Sequence, residues 1–573
     1  MVKITMDRQE MDVPAGTTIL DAAENHGIHI PTLCYYAHLN EIGSCRMCLV
    51  EMQGKDQLVT ACNTKVSEGM RLATNTPAVR EARQTNLELI LSQHRVDCTS
   101  CVRGDNCSLQ DLANNMGVTS QDYEKELAAQ KWDMAFPLIR DNSKCIKCMR
   151  CVQVCDKIQQ LHVWDVLHPG SESDIGVREN LPISEVNCSL CGQCVTHCPV
   201  GALSERDDVP RMMAALADPD VTTVVQIAPS IRAAWGEDFG MTPKEGTVKR
   251  LASVLRHIGF DYIFDTSFSA DLTIMEEASE FLHFMGDRPD DNLPLFTSCC
   301  PGWVRFAKTE YPELLGHLST SKSPQQMFGA VTKTWYAEKM GLKPDQIFSV
   351  SIMPCIAKKS EADMPSMTRE DGTPDVDLVL TTRELDRMIK SEYLDPRSFP
   401  ESELDDPLGV ASGAGVIFGS TGGVMEAALR SAYYFVNDKN TDADTFKAAR
   451  GQDGCREVDT EINGIPIRGI AVNGLGNARH LIEDLKAGRR QCDFVEVMAC
   501  PGGCVGGGGQ PIHDGEEWAA RRAPTLYNLD ERNTIRFSHE NPSIKEVYKE
   551  YFGTPLSEKA EAVLHTHHSA AER

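Results

Sequence analysis

Five cysteines in the second half of the sequence lie in three short segments that also contain proline or glycine. The segments are Thr297–Trp303 (TSCCPGW), Met353–Cys355 (MPC) and Cys500–Cys504 (CPGGC). Fifteen more cysteines come earlier in the chain, at the spacings of iron–sulfur ligands. Thiolates from separate segments can hold a redox cluster, and the earlier series can carry electrons to it. The pattern predicts a protein that moves electrons to or from a buried redox reaction.

Two of the earlier series repeat the spacing C-x2-C-x2-C-x3-C. Their members are Cys145, Cys148, Cys151 and Cys155, then Cys188, Cys191, Cys194 and Cys198. This is the run of two-cluster bacterial ferredoxins, in which the fourth cysteine of each run ligates the other cluster. Pro199 follows the second run as the pattern requires, whereas Asp156 follows the first. The two runs predict a pair of 4Fe-4S clusters.

A shorter series precedes these runs and has one cysteine too few for a 4Fe-4S cluster. Its members are spaced His94-x3-Cys98-x2-Cys101-x5-Cys107. Such a cluster needs four ligands, so the histidine, one turn before the first cysteine, is the predicted fourth. The alternative is an ordinary surface histidine.

The first four cysteines predict a 2Fe-2S site. They are spaced Cys34-x10-Cys45-x2-Cys48-x13-Cys62. This is close to the plant-type pattern, with a longer first gap. Strand-like sequence over Val2–Met6 and Glu10–Val13, followed by an amphipathic helix from Thr17, predicts a β-grasp domain around the site. A structural zinc site is the alternative.

The composition describes an acidic globular protein from a reducing compartment. Its 573 residues carry a formal net charge of −26, which disfavours nucleic acids and anionic membranes as partners. The 22 cysteines fit a cytosolic protein if they bind metal, because cytosolic thiols stay reduced. No signal-peptide core opens the sequence, and no apolar run nears the roughly 20 residues of a membrane span. We expect a cytoplasmic protein without a membrane span.

Changes in the pattern of cysteines and of apolar residues along the sequence divide the chain into five predicted domains. Their bounds are 1–78 for the 2Fe-2S β-grasp domain, 79–125 for a small helical 4Fe-4S domain with one histidine and three cysteine ligands, 126–209 for the two-cluster 4Fe-4S ferredoxin domain, 210–524 for a large α/β domain and 525–573 for a C-terminal segment. The predicted fold class is therefore multidomain, with α+β and α/β parts.

The α/β domain places the five reactive cysteines after the ends of predicted strands. These strands are Val221–Ile227, Asp261–Thr266, Leu293–Thr297, Ile347–Met353, Val376–Thr381, Ile467–Val472 and Phe494–Met498. A helix over Ala270–Phe284 follows the second strand. Open α/β sheets place their sites beyond the carboxyl ends of strands. We therefore expect the three cysteine segments to meet at such an edge.

Three longer segments together resemble the FeFe hydrogenases, and the likeness covers essentially the whole chain. They are Phe296–Trp303 (FTSCCPGW), Met353–Lys359 (MPCIAKK) and Glu496–Val505 (EVMACPGGCV). The N-terminal half is similar to that of large monomeric enzymes and of the catalytic subunits of NADP-reducing and electron-bifurcating complexes. The likeness implies an H-cluster, in which a 4Fe-4S cubane shares a cysteine sulfur with a two-iron unit that bears CO, cyanide and a bridging dithiolate. One 2Fe-2S and three accessory 4Fe-4S centres complete the expected cofactors.

The resemblance also implies ligands and a pocket for that cluster. The implied cubane ligands are Cys300, Cys355, Cys500 and Cys504, of which Cys504 bridges to the two-iron unit. Lys358, otherwise a solvated lysine, is implied as a donor to a cyanide nitrogen. The implied pocket lining is Ala228, Pro229, Ser230, Ser323, Gln325, Met353, Phe418, Gly419 and Met498. Cys455 and Cys492 match no motif, and we interpret them as structural.

A proton route is the remaining implication, and each member has an ordinary alternative. Cys299 is otherwise a small buried hydrophobe, and two glutamates spaced i, i+3 are otherwise a solvated helix face. By resemblance the route consists of Cys299, Glu277, Ser319 and Glu280. The arginine that the family places four residues after the second acid aligns with Phe284 or its neighbour His283. The outer end of the route therefore departs from the family pattern.

The C-terminal stretch from Ser538 to His567 is polar, with a few aromatic anchors. It resembles the family's small-subunit segment, fused to the catalytic chain and wrapped around it. The histidines at 565, 567 and 568 suggest metal ligands, but we expect them in a solvated tail.

These observations predict an enzyme that interconverts H2 with two protons and two electrons. Ile470–Ala478 imitates a dinucleotide fingerprint but falls short of G-x-G-x-x-G/A, so we expect no nicotinamide site in this chain. The expected partners are therefore flavin- and NADP-binding diaphorase subunits and a small 2Fe-2S subunit, or else ferredoxin. The alternative function is an iron–sulfur electron-transfer subunit of a dehydrogenase complex without H2 chemistry, which has no use for Cys299. A cluster-assembly or H2-sensing relative is a third reading, but such relatives tend to lose that cysteine.

Overall fold

The structure, a computed structural model, describes residues 1–125, 127, 130–168, 170, 173–289 and 292–570. The predicted domain boundary at residue 126 and the final residues 571–573 fall outside this part of the chain. Within it, no helix combines the length and the apolar character needed to cross a membrane. All 22 cysteines lie in it, and none forms a disulfide.

The first domain is a five-stranded mixed sheet packed on one helix. Its elements are β1 (Val2–Met6), β2 (Gln9–Val13), α1 (Ile19–Glu24), β3 (Leu49–Met52), β4 (Val59–Thr60) and β5 (Arg71–Ala73). The strand order is β2-β1-β5-β3-β4, with β1 antiparallel to β2 and parallel to β5. Helix α1 begins two residues after the predicted start, because the Thr18 side chain caps it by accepting from the Asp21 amide at 3.1 Å.

Two small cluster-binding regions follow and share one core. Their elements are α2 (Pro77–Ser92), α3 (Ser108–Asn115), β6 (Leu138–Arg140), α4 (Arg150–Gln153), β7 (Trp164–Leu167), β8 (Asp174–Val177), α5 (Gln193–Thr196) and β9 (Leu203–Glu205). The two ferredoxin runs fold alike: α4 and α5 each begin after a residue in the left-handed region, Met149 (φ 70°) and Gly192 (φ 73°). This turn separates the second and third cysteines of each run.

Two four-stranded sheets form the α/β domain. Its elements are α6 (Val209–Leu216), β10 (Thr222–Ile227), α7 (Val248–Ile258), β11 (Tyr262–Asp265), α8 (Thr266–Gly286), β12 (Leu295–Phe296), α9 (Pro301–Glu310), α10 (Pro324–Val331), α11 (Ala337–Met340), β13 (Ile347–Met353), α12 (Ala357–Ala362), β14 (Leu378–Thr381), α13 (Thr382–Ser391), α14 (Gly413–Ile417), α15 (Gly423–Asn437), β15 (Cys455–Ile462), β16 (Ile465–Asn473), α16 (Leu475–Lys486) and β17 (Phe494–Met498). The sheet orders are β11-β10-β13-β14, all parallel, and β12-β17-β16-β15, in which only β15 is antiparallel.

The predicted multidomain α+β and α/β fold is confirmed, although one strand of the α/β domain was not predicted and several other elements begin or end at different residues. Strand β15 was not predicted, because its sequence CREVDTEI is mostly polar. Helix α8 begins at Thr266, four residues before the predicted Ala270, because the Asp265 carboxylate caps it by accepting from the Ser267 amide at 2.8 Å. Strand β11 therefore runs into α8 without a loop.

The C-terminal segment wraps the α/β domain as three helices: α17 (Ala519–Arg532), which begins before the predicted boundary at residue 525, α18 (Pro542–Val547) and α19 (Glu558–Leu564). The fully buried Asp271 of α8 anchors it. This carboxylate accepts from Ser538 Oγ at 2.7 Å and from Asn541 Nδ2 at 2.9 Å, as well as from Ser412. A buried carboxylate with several donors is stable only while those donors remain in place, so α8 and the segment are held together.

Candidate active site at the carboxyl ends of two sheets

The three cysteine segments meet at one buried cavity of about 80 Å³. That volume is several times the roughly 10–15 Å³ that a single water needs. Five cysteines line the cavity: Cys299, Cys300, Cys355, Cys500 and Cys504. They follow the carboxyl ends of β12, β13 and β17, as expected for an open α/β sheet. The site therefore lies at the carboxyl ends of strands from both sheets of the domain.

Most of the implied pocket residues line the same cavity. They are Ala228, Pro229, Ser230, Gln325, Met353, Lys358, Phe418, Gly419 and Met498. Ser323 lines a smaller neighbouring cavity instead, where its hydroxyl donates to Glu361 at 3.0 Å. Lining residues that sequence reasoning missed are Thr266, Ala270, Pro301, Pro324, Pro354, Ala499, Gly503 and Gly507. Several lie inside the quoted motifs, but Thr266 reaches the cavity only because α8 starts early.

The chemistry of the donor set fits an iron–sulfur cluster. The cavity is apolar apart from its thiols and a few polar atoms, and burial raises the pKa of Cys355 to about 12. Burial likewise raises the pKa of Cys500 and of Cys504 far above the ordinary thiol value. Such thiols ionise only when a positive centre compensates them, and iron supplies that charge. Gly503, with φ 89°, allows the loop between Cys500 and Cys504 to pass close to the backbone at Thr421. A Cβ at this position would lie 2.6 Å from the Thr421 amide nitrogen.

Lys358 is a buried cation at the edge of the cavity. Its Nζ donates to the Cys299 carbonyl at 3.1 Å and to the two oxygens of Glu361 at 3.2 and 2.9 Å. Burial alone would lower the pKa of Lys358, but the carboxylate of Glu361 raises it above the usual value. Glu361 also accepts from Gln325 Nε2 at 3.1 Å. The ammonium is therefore charged and held in one orientation beside the thiols.

The predicted proton-route residues lie in sequence behind Cys299. Burial, followed by the charge of Glu277, raises the pKa of Cys299 well above the ordinary value, so the thiol holds its proton. Burial and then the neighbouring Glu280 raise the pKa of Glu277 to about 8. Ser319 Oγ donates to Glu280 Oε2 at 2.6 Å, so its single proton is committed to that acid. Within the described part of the chain, both Glu277 carboxyl oxygens are buried without a hydrogen bond of ordinary geometry, so a neutral Glu277 has a proton to offer the nearby Ser319 hydroxyl.

The expectation of a solvated tail at the C-terminal histidines is wrong for two of them. His565 Nε2 lies 3.1 Å from Glu276 Oε2, and only 8% of its side chain is exposed. His568 Nε2 lies 3.0 Å from the Ser319 carbonyl. His567 is exposed, as expected. No local sequence signal marks the first two, because their partners lie some 250 to 290 residues earlier in the chain.

The structure also groups the accessory cysteines. Cys155 lines one small cavity with Cys188, Cys191 and Cys194, which is the exchange of fourth ligands that the ferredoxin runs predict. His94 lines a cavity with Cys98 and Cys107, and its Nδ1 is 3.0 Å from the Lys144 carbonyl, so Nε2 remains as the donor atom for metal. Cys101 lines the adjoining cavity together with Cys98.

The four cysteines of the first domain are buried close together. Cys45 Sγ accepts from the Cys34 amide at 3.4 Å, and Cys48 and Cys62 are within hydrogen-bonding reach of each other. Cys455 and Cys492 stay apart from all of these groups. The Cys455 sulfur accepts from Arg490 at 3.2 Å, and Cys492 is buried in an apolar core.

Family models match the chain along most of its length. Residues 221–508 match "Iron only hydrogenase large subunit, C-terminal domain", and residues 516–571 match "Iron hydrogenase small subunit". The N-terminal matches are "2Fe-2S iron-sulfur cluster binding domain" at 1–77, "NADH-ubiquinone oxidoreductase-G iron-sulfur binding region" at 83–122 and "4Fe-4S dicluster domain" at 144–202.

Several curated proteins are similar to the chain over all or most of its length. The NADP-reducing hydrogenase subunit HndD of Solidesulfovibrio fructosivorans is 43% identical over 585 residues, which cover 100% of both chains. Iron hydrogenase 1 of Clostridium pasteurianum is 40% identical and covers 99% of both chains. The cytosolic iron-sulfur assembly component 3 of Bos taurus is 32% identical over 76% of this chain and 94% of its own.

Solved structures show the same likeness in the catalytic half. An apo FeFe hydrogenase of Chlamydomonas reinhardtii superposes with a TM-score of 0.58 at 43% identity, covering 64% of this chain and 99% of its own. A hydrogenase structure that describes stepwise H-cluster assembly superposes with a TM-score of 0.57 at 42% identity, covering 64% of this chain and all of its own.

Proposed function

Because this chain belongs to the FeFe hydrogenases, as a catalytic subunit with accessory iron–sulfur domains, we propose which of its residues perform the reversible oxidation of H2. The H-cluster, when bound, supplies the iron chemistry that forms or cleaves the H–H bond. The residues that would hold it are Cys300, Cys355, Cys500 and Cys504. The observation that carries this proposal is the convergence of these four thiols, from three segments, on one buried cavity.

Protons are proposed to travel from Cys299 to the protein surface through acids on α8. The Cys299 thiol lines the cavity and holds its proton at Sγ, so it can pass that proton inward or receive one from outside. Glu277, neutral below about pH 8, is next. Ser319 then connects it to Glu280, which is only partly buried. A serine hydroxyl can relay a proton because it donates and accepts at once.

Lys358 and the apolar lining are proposed to hold the two-iron unit in place. Glu361 fixes the ammonium at 2.9 Å, which leaves Lys358 able to aim a charge-assisted hydrogen bond at an anionic ligand on iron. The lining residues are Ala228, Pro229, Ser230, Gln325, Met353, Phe418, Gly419 and Met498, with Ser323 supporting Glu361 from behind. Such surroundings limit water and tune the potential of the centre.

Electrons are proposed to travel through four accessory clusters. Their ligand sets are Cys34, Cys45, Cys48 and Cys62; His94, Cys98, Cys101 and Cys107; Cys145, Cys148, Cys151 and Cys198; and Cys188, Cys191, Cys194 and Cys155. Contacts between these sets support transfer into the ferredoxin domain from each of the first two sets. Asn40 Nδ2 donates to the Cys34 carbonyl at 2.7 Å and to the Cys148 carbonyl at 2.8 Å, bridging two sets directly. A Cβ on Gly201 would meet Cys101 Sγ at 2.5 Å, so the region that carries His94 and its three cysteines packs on the ferredoxin domain.

The domain bounds and the partners are proposed as follows. The bounds stay at 1–78, 79–125, 126–209, 210–524 and 525–573. The relative named NADP-reducing hydrogenase subunit is part of a multisubunit complex by its name, and we propose that this chain likewise works in one. Flavin- and NADP-binding diaphorase subunits and a small 2Fe-2S subunit are the proposed partners, with ferredoxin as the alternative acceptor. The proposed compartment is the cytoplasm, where NADP is available.

Two experiments test these proposals. The anaerobically matured chain is expected to show infrared bands of CO and cyanide on iron and to evolve H2 from a strong reductant. Iron–sulfur spectra without these bands and without gas would favour the electron-transfer alternative. Purification of the native complex is expected to bring down flavin-bearing subunits. Reduction of NADP with H2 by the chain alone would overturn the partner proposal.

A further inference from the structure

A chain of hydrogen bonds joins Glu280 to a histidine of the C-terminal segment. Glu280 Oε1 accepts from Thr320 Oγ1 at 3.0 Å and from the Thr320 amide at 2.8 Å. The same Thr320 hydroxyl lies 2.8 Å from His565 Nδ1, and His565 Nε2 lies 3.1 Å from Glu276 Oε2. The proposed proton route therefore continues beyond Glu280 through two further side chains.

The backbone fixes the histidine in this position from both sides. Lys322 N donates to the Leu564 carbonyl at 2.8 Å, and Thr566 N donates to the Thr320 carbonyl at 2.7 Å, which makes a short antiparallel bridge around His565. These backbone hydrogen bonds hold His565 where its ring faces Thr320. Eight per cent of the side chain remains exposed, so water reaches one edge of it.

Glu276 orients the side of the His565 ring that faces it. This carboxylate is fully buried, and it also accepts from the Tyr548 hydroxyl and from the Leu556 amide at 2.8 Å. Both oxygens of this carboxylate are therefore engaged, Oε1 by Tyr548 and Oε2 by Leu556 and His565. In the contact between them, His565 Nε2 donates and the Glu276 oxygen accepts, which leaves Nδ1 facing the Thr320 hydroxyl.

Two arrangements of protons satisfy every atom of this chain. In the first, Glu280 is protonated at Oε1 and donates to Thr320 Oγ, which donates to a neutral His565 at Nδ1. In the second, an imidazolium donates from Nδ1 to Thr320 Oγ, which donates to an ionised Glu280. Neither arrangement requires a heavy atom to move, because the hydroxyl donates one hydrogen and accepts another in both. Ser319 donates to Glu280 Oε2 throughout.

We propose that His565 takes and returns protons beyond Glu280, acting through the hydroxyl of Thr320, and that Glu276 positions it. This inference rests on the proposed route through Glu280. In the outward direction Glu280 loses a proton to Thr320 Oγ while Thr320 gives its own to His565 Nδ1, so one carboxylate and one imidazolium form and no electron moves. The carboxylate of Glu276 stabilises the cation until water removes the proton. Of the two residues that align with the family's arginine, Phe284 carries no titratable group and His283 is exposed.

The test compares substitutions in the matured holoenzyme. His565→Asn keeps a polar group towards Thr320 but cannot become a cation, and Thr320→Val removes the hydroxyl with little change of shape. Each is expected to lower turnover in both directions by about tenfold or more, with the CO and cyanide bands unchanged. Infrared difference spectra report whether Glu280 is protonated, through a carboxyl C=O band that is assigned by its loss in Glu280→Gln. We expect this band to persist in His565→Asn under conditions in which the wild type shows the carboxylate instead. Thr320→Ser, which restores the hydroxyl, is expected to recover the wild-type rate.

A matched control is His567→Asn, because that histidine is exposed two residues away. It is expected to behave as the wild type. Wild-type turnover and an unchanged carboxyl band in His565→Asn would overturn the inference, since Glu280 would then exchange with water directly. A defect in Thr320→Ser as large as that in Thr320→Val would do the same, because it would indicate a packing role. If Glu280→Gln itself kept full turnover, the proposed route would fail instead.

Discussion

Cys500 Sγ lies 3.6 Å from the carbonyl oxygen of Cys191. A proposed ligand of the catalytic centre thus touches the backbone beside a proposed ligand of the nearest ferredoxin cluster. Glycines make this contact possible, since a Cβ on Gly508 would lie 2.5 Å from both the Cys191 carbonyl oxygen and the Gly192 Cα. This contact is the proposed point at which electrons enter or leave the α/β domain.

Gly508→Ala is therefore expected to separate the two domains and slow electron transfer between them. The added methyl meets backbone atoms, which cannot yield as a flexible side chain would, and overpacking of this kind costs about 1–3 kcal/mol. Freeze-quench spectroscopy after mixing with H2 is expected to show slower reduction of the accessory clusters. Gly316→Ala is the control, because no atom lies within 4 Å of a Cβ there. Equal rates in the two variants would contradict the proposed entry point.

Cys299→Ala is expected to lower turnover by at least about 10²-fold, the usual lower contribution of a positioned proton donor. Iron content and the CO and cyanide bands are expected to stay near those of the wild type, because Cys299 is the thiol without a proposed metal bond. Cys492→Ala, at another buried cysteine, controls for the loss of a thiol and is expected to keep full activity. Loss of iron from Cys299→Ala would show that this residue is a ligand rather than a proton donor.

Glu277→Gln is expected to abolish proton transfer while it stabilises the fold at higher pH. Burial raises the pKa of this carboxyl from 4.5 to about 8. Between those values the unfolded chain releases a proton that the folded chain keeps, so the free energy of unfolding falls as pH rises across this window, by up to ~1.4 kcal/mol per pH unit. Below pH 4.5 the folded and the unfolded chain both carry this proton. Above about pH 8 neither carries it, so the contribution of Glu277 to the free energy of unfolding no longer changes with pH.

Glutamine has no such titration, so the gain in thermal midpoint of Glu277→Gln over the wild type should grow between about pH 5 and pH 8 by an amount that corresponds to a few kcal/mol. Calorimetry across this range measures it. Glu461→Gln on the exposed face of β15 removes the same charge and is expected to leave the difference flat. A gain that shrinks with rising pH would contradict the raised pKa.

Local patterns were enough to predict the elements that carry the reactive cysteines. Strands β13 and β17 have the predicted bounds, because each is a mostly apolar, buried run (IFSVSIM and FVEVM) that ends at a Met-Pro or Met-Ala step. The spacing of the motifs then places the cysteines at the carboxyl edge without further information. Burial of both faces makes such strands the easiest to recognise.

Long-range partners could not be predicted in the same way. The sequence His565-Thr566-His567-His568 is typical of a solvated tail. His565 reaches Glu276 only because the chain that follows α19 pairs with the 320–322 segment. The early start of α8 depended on a single cap at Asp265. Both cases depend on one or two hydrogen bonds, which the hydrophobic periodicity of the sequence cannot reveal. Both also concern residues at or near the proposed proton route.

His94→Ala is expected to change the spectrum of a single accessory cluster. Burial lowers the pKa of His94, so the ring is neutral, and its Nδ1 hydrogen is occupied by the Lys144 carbonyl at 3.0 Å. The lone pair of Nε2 is left for iron, which is how a second hydrogen bond normally orients a histidine ligand. Electron paramagnetic resonance of the reduced protein is expected to lose or shift one 4Fe-4S signal while the others persist.

His26→Ala is the matched control, because His26 Nδ1 also lies 2.9 Å from a backbone carbonyl, that of Ala22, in a part of the first domain without proposed ligands. Its spectrum is expected to equal that of the wild type. His94→Cys supplies a thiolate in place of the imidazole and is expected to keep the cluster at a lower potential, since the thiolate adds negative charge to the site. An unchanged spectrum in His94→Ala would remove His94 from the ligand set and leave the three cysteines to bind with a ligand from elsewhere.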